Sequence, residues 1–390
     1  MRRVIRDLPG SKIREVANAG MGRDDILAFW FGESDEPTPE FIREAAVQSL
    51  RDGETFYAHN LGLPELRDAI ARYTSALHPA VQPDRIAVTS SGVSALMLAM
   101  QALAGAGDEV VAVVPVWPNL TAQPAIMGAK VTRVSLHSRV SGADAGWHLD
   151  LGELLSAVTE RTAALVVNAP NNPTGWTLTR EEQQAILDHC RKTGTWIVAD
   201  EVYERLYFAE SAKAAPSFLD IATPDDQLVV VHSFSKSFLM TGWRLGWMVA
   251  PADFIADMGK LIEFNTSCAP VFVQRAALTG LAHADEFVPG LVQRMKACRD
   301  TLIPQLAAVP GVHVANPLGG MYAFFRVDGQ ADSLAYAKHL VASVGLGIAP
   351  GAAFGSEAEG WLRWCFASKD RSRLSAGVAR LHRAIQMHPL

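Results

Sequence analysis

The chain has 390 residues, 49% apolar and 19% charged, which implies an ordered globule too long for a single core. Its net charge of -6, with no long run of Lys or Arg, gives no electrostatic footprint for nucleic acid or an anionic membrane, so a small-molecule ligand is expected. The scattered Cys190, Cys268, Cys298 and Cys365 form no C-x-x-C pair, arguing against a zinc site or disulfide framework and for a reducing, cytoplasmic setting.

The basic start, residues 1–14, has no apolar stretch behind it and reads as no secretory leader, and no segment reaches the roughly 18 apolar residues of a membrane helix. Up to residue 40 the chain is mixed and loop-like. Short β-branched runs then predict strands at 85–89, 109–114, 130–136, 164–168, 195–200, 228–233 and 244–250. Helical patterns lie between several of them, at 94–103 and at 179–192, where Thr179 caps the start and Gly194 follows the end. Strand, helix and strand in succession predict an α/β fold: a mostly parallel sheet of seven strands covered on both faces. Beyond about 285 longer helical patterns alternate with strand-like 320–327 and 361–367. The expected division is a large domain over 41–285 and a smaller α/β domain from the two ends, 1–40 and 286–390.

In such sheets ligands bind beyond the carboxyl ends of the strands. After the first predicted strand, Ser90-Ser91-Gly92-Val93-Ser94-Ala95 leads into a helix, offering backbone N–H groups to a phosphate or simply turning the chain. Trp117 after the second strand suits stacking on a flat ligand or filling the core. Residues 168–175, Asn-Ala-Pro-Asn-Asn-Pro-Thr-Gly, form a rigid turn that turn chemistry alone also explains. Asp200, with Tyr203 three residues on, ends the fifth strand as a functional carboxylate or a strand cap. The sixth runs into Ser233-Phe234-Ser235-Lys236, with Arg244 eight residues further. An amine there is desolvated and near a cation, both of which lower its pKa.

Taken together, N-N-P-T-G at 171–175, D-E-V-Y at 200–203 and S-F-S-K followed by Arg244 resemble a class I/II aminotransferase of fold type I, in the aspartate aminotransferase superfamily, over about residues 30–368. The resemblance implies pyridoxal 5'-phosphate as cofactor, with Lys236 as its Schiff-base lysine, Asp200 beside the pyridine nitrogen, and Asn172 and Tyr203 at the ring hydroxyl. Trp117 then stacks on the ring, while Ser91, Gly92, Val93, Ser233, Ser235 and Arg244 surround the phosphate. Tyr57 resembles the tyrosine that reaches the neighbouring subunit's phosphate, implying a homodimer with shared sites. Arg363 matches the arginine that grips the substrate carboxylate, and Gly32 the glycine opposite it.

The implied activity is ping-pong exchange of amino and oxo groups between an amino acid and a 2-oxo acid. A carbon–sulfur lyase of the same superfamily shares the first proton abstraction and is the alternative. A regulator with an added DNA-binding module is the remote one, since only about 30 residues precede the matched region. No Arg occurs between Arg244 and Arg275 to meet a second carboxylate, and Trp30, Phe31, Met321, Tyr322 and Phe354 flank the site. These aromatic and apolar residues lean the expectation toward an apolar or aromatic substrate, although each also reads as core.

Overall fold

The computed structural model describes residues 1–139 and 145–387. After a two-residue strand β1 (Leu27–Ala28), eight strands build the main sheet: β2 (Ile86–Thr89), β3 (Glu109–Val114), β4 (Lys130–Arg139), β5 (Gly146–Leu149), β6 (Thr162–Asn168), β7 (Trp196–Asp200), β8 (Leu228–Ser233) and β9 (Gly246–Val249). They lie in the order β2-β9-β8-β7-β6-β3-β4-β5. β5 and β9 pair antiparallel with their neighbours. The other pairings are parallel.

The central strands are near-continuous runs of Val, Ile, Leu and Ala because both faces are covered. Alternate residues feed two separate cores. Val111, Val113, Leu165, Val167, Ile197, Ala199 and Val230 join one. Val110, Ala112, Val114, Val166, Val198, Val229 and Val231 join the other, with Leu96, Ala99 and Met100 of the helix Gly92–Leu103. The helix Arg180–Thr193 opens with the reciprocal Thr179–Glu182 capping box and closes on Gly194 at φ 70°.

Among the described residues the sheet has eight strands where the sequence predicts seven. The added β5, Gly-Trp-His-Leu, pairs only with β4 at the edge. It is held by Trp147, whose ring sits 4.8 Å from that of Trp361 and 5.6 Å from that of Phe324, contacts that no local pattern announces.

A second, antiparallel sheet has the order β10-β11-β14-β13, from β10 (Val312–Val314), β11 (Tyr322–Val327), β13 (Ala349–Pro350) and β14 (Trp361–Cys365). Its neighbour β12 (Leu346–Gly347) pairs in parallel with β1. The segment before residue 40 is less loop-like than expected: Ser11 caps a helix, Lys12–Ala19, that buries Ile13, Val16 and Ala17 and packs on the helix Ser333–Val344. Among the described residues no helix is long and apolar enough to cross a membrane.

Candidate active site

Parallel pairing brings the carboxyl ends of β6, β7 and β8 to one edge, with Asn168 and Asp200 in direct register. Beyond that edge opens a cleft of about 840 Å³. Every site residue expected from the sequence lines it except Ser91 and Tyr57.

One wall is built around the start of the helix Gly92–Leu103. Ser91 is buried and spends its side chain as the helix cap, accepting from the Ser94 N–H at 3.0 Å. The N–H groups of Gly92 and Val93 belong to the first helical turn, which has no internal acceptors for them. Ser233 caps the next turn, accepting from the Ser235 N–H at 3.1 Å. The Arg244 guanidinium donates to the Thr241 carbonyl at 2.8 Å and lies 3.5 Å from the Ser235 hydroxyl. The backbone at Arg244 is left-handed, φ 54°, and swings the side chain toward this wall as the chain enters β9.

Gly246 makes that wall possible, a role the sequence reading did not assign to it. A Cβ there would stand 2.4 Å from the Gly92 nitrogen and 2.8 Å from the His232 oxygen, both backbone atoms that cannot swing aside. A glycine inside a strand pattern is the signal that marks such a close approach.

Asp200 is 2% exposed. Burial pushes its carboxyl up to about 7, against the Val202 N–H at 3.3 Å and the nearby Lys236. Burial likewise lowers the Lys236 amine to about 8; the charge of Arg363 adds to this, while Cys365, Glu33 and Asp200 oppose it. The amine donates to the Gly32 carbonyl at 2.6 Å and lies 5.4 Å from the centre of the Tyr203 ring. Asn168, also unassigned by the sequence reading, ties this floor together: it donates to the Asp200 carbonyl at 2.9 Å and accepts from the Asn172 N–H at 2.7 Å.

Arg363 on β14 is buried with its guanidinium 4.5 Å from the Tyr322 ring centre and 4.9 Å from that of Phe354. It donates to Asn172 Oδ1 at 3.1 Å and to the Trp30 carbonyl. Its Nε has no hydrogen-bond partner among the described residues. Asn172 and Tyr203, expected as a pair, are engaged separately, since the Tyr203 hydroxyl meets that of Tyr322 at 2.7 Å.

One expectation needs correction. Of the apolar flank, Phe31 and Tyr322 line the cleft, whereas Trp30, Met321 and Phe354 lie buried beneath its surface, and the charged Lys12, Arg14 and Glu33 line it instead. Lys12 and Arg14 arrive on the N-terminal helix, whose Ser11 cap and Ile13, Val16, Ala17 spacing were legible signals. Tyr57 is 90% exposed and is not part of this chain's own cleft.

The chain is 33% identical over 384 residues to a probable aspartate/prephenate aminotransferase of Aquifex aeolicus, covering 96% of this chain and 94% of that protein. It is also 33% identical to an arginine–pyruvate transaminase of Pseudomonas aeruginosa, covering 90% and 87% respectively. The crystal structure of an aspartate aminotransferase from Thermotoga maritima superposes with a TM-score of 0.90 at 30% identity, covering 99% of this chain and 100% of that one. The family model for aminotransferase class I and II matches residues 25–381, and the chain belongs to that family of PLP-dependent enzymes that transfer amino groups.

Proposed function

We propose that this cleft holds pyridoxal 5'-phosphate and exchanges amino and oxo groups between an amino acid and a 2-oxo acid. The observation that carries the reading is the half-buried Lys236 amine near the buried Asp200 carboxyl at the sheet's carboxyl edge, the amine lowered to about 8 and the carboxyl raised to about 7.

The donor set suits each part of that cofactor. The helix start at Gly92 and Val93, with Ser233, Ser235 and Arg244, offers N–H and O–H donors and a cation to a phosphate. Asp200 fits a protonated ring nitrogen, and a cation there keeps the carboxylate ionised although burial alone raises its pKa. Trp117 offers a ring face, and Asn172 and Tyr203 offer polar groups to the ring hydroxyl.

When bound, the cofactor supplies an electron sink for the pair released at the substrate's alpha carbon. Lys236, with its pKa lowered to about 8, is suited to remove that proton and return it elsewhere. Arg363, which lines the cleft, would hold the substrate carboxylate by parallel N–H donors and so orient the bond that breaks. Transaminase names among the relatives favour transfer over carbon–sulfur elimination.

A homodimer belongs to the same proposal. Phe56 and Tyr57 are 84% and 90% exposed side by side, which suits a surface covered by a second copy with Tyr57 reaching that copy's phosphate. The domain division, 41–285 against 1–40 with 286–390, is supported by the β1–β12 pairing and by the packing of the N-terminal helix on Ser333–Val344. The four free cysteines support a cytoplasmic location.

The test is a panel of amino acids added singly to the purified protein, scored by the change in visible absorbance of the bound cofactor and reversed by a 2-oxo acid. A protein without a visible band, or one whose band no amino acid alters, would overturn the reading.

A further inference from the structure

The turn that follows β7 has two faces. Asp200, Val202 and Tyr203 line the cleft, whereas Glu201, Glu204 and Arg205 do not and are nonetheless buried. Three buried ionisable groups on one turn are costly unless each is paired. Glu201 accepts from the Ser217 hydroxyl at 2.5 Å and the Phe218 N–H at 3.1 Å. Arg205 donates to the Tyr73 hydroxyl at 2.7 Å and the Lys213 carbonyl at 3.0 Å.

Glu204 makes the longest reach. One oxygen lies 3.2 Å from His78 Nε2, and the other faces His232 Nδ1 at 3.6 Å. His78 Nδ1 meets Asp220 at 2.8 Å. Burial opposes a charge on His78, but its bonds to Asp220 and Glu204 prevail and push it up to about 10. The clamp is therefore a cation held between two carboxylates. His232 stacks on Trp247, ring centres 5.0 Å apart, and immediately precedes Ser233.

Glu201, Glu204 and His232 also lie within 4.8 Å of one another as potential metal donors. Both carboxylates already take hydrogen bonds from the protein, and His78 supplies the countercharge. Of the three, His232 alone has ring nitrogens with no hydrogen-bond partner among the described residues.

We propose that Glu204 is a positioning residue: bonded to His78 and packed against His232, it fixes the turn carrying Asp200 and Tyr203 against the strand that leads to Ser233 and Lys236. It thereby sets the separation of the carboxylate and the amine across the cleft, and the proposal rests on the functional reading above. A misplacement of about 1 Å at such a site costs roughly a hundredfold in rate.

The test uses the cofactor-loaded protein. Glu204→Ala is expected to lower the single-turnover rate at saturating amino acid roughly tenfold or more, with KM within about threefold, and to alter the visible circular dichroism of the bound cofactor. Glu204→Gln still accepts from His78 and should recover most of the rate and the parent spectrum. Should Glu204→Ala fail to fold, His78→Gln carries the test, with the same spectral change and a smaller rate loss. Variants that melt earlier yet keep the parent rate and spectrum overturn the proposal, leaving Glu204 a purely structural residue. A parent protein with no cofactor band at all refutes the functional reading itself, which is a different result.

Discussion

The Lys236 amine donates to the carbonyl of Gly32 at 2.6 Å, across 204 positions of chain. That bond links the carboxyl edge of the main sheet to the N-terminal segment and aims the amine into the cleft. Gly32 is small for a reason: a Cβ there would meet the Tyr322 hydroxyl at 2.2 Å. The first expectation follows. Lys236→Ala should retain cofactor through the phosphate contacts but lose transamination and the parent's visible band. Borohydride reduction of the parent followed by peptide mapping should place the label on Lys236, and a label on any other lysine refutes the assignment.

Asp200→Asn should leave cofactor binding largely intact and cripple chemistry. The amide fits the space but carries no charge to keep the ring nitrogen protonated. Several kcal/mol on the proton-abstraction barrier corresponds to a rate loss of roughly a thousandfold or more. Single-turnover rates, corrected for the fraction of cofactor bound, decide it; a variant within about tenfold of the parent removes Asp200 from the mechanism.

The same substitution should stabilise the cofactor-free protein, in a pH-dependent way. Burial raises the Asp200 carboxyl from 3.8 to about 7, so over that window the folded protein holds a proton that the unfolded chain has released. Stability is therefore lost as pH rises from about 4 to about 7, by up to about 4 kcal/mol. Urea unfolding of cofactor-free parent and Asp200→Asn should show a larger advantage for the variant at pH 8 than at pH 5. An advantage equal at both pH values contradicts this origin.

Gly246→Ala should weaken phosphate binding more than any surface substitution. Its methyl group would force the β9 backbone away from Gly92 and His232, and overpacking of this kind costs about 1–3 kcal/mol or more. Cofactor titration and melting should both register it. A variant that binds cofactor like the parent would show that the wall can relax.

Heterodimers test the shared site. A Lys236→Ala subunit mixed with a Tyr57→Phe subunit should yield one site with both lesions and one with neither. Activity of the mixture above both parents is expected; no recovery argues against Tyr57 acting across the interface.

The lining of the cleft was legible in the sequence because it sits in short stretches at strand ends. Lys236, Asp200 and Asn172 each follow or end an apolar β-branched run, and parallel pairing then puts such ends on one edge. The capping box at Thr179 and Glu182 and the glycine at 194 were legible for the same reason, since caps are local. Tertiary structure alone decided what depends on distant partners. It seated β5 through Trp147 against Phe324 and Trp361. It brought Lys12, Arg14 and Glu33 to the cleft, and Trp30, Met321 and Phe354 beneath it. It brought His78, Glu204 and His232 into one buried cluster. Hydrophobic periodicity records which residues leave water, whereas the neighbour each one meets is set by close packing of segments that lie hundreds of residues apart.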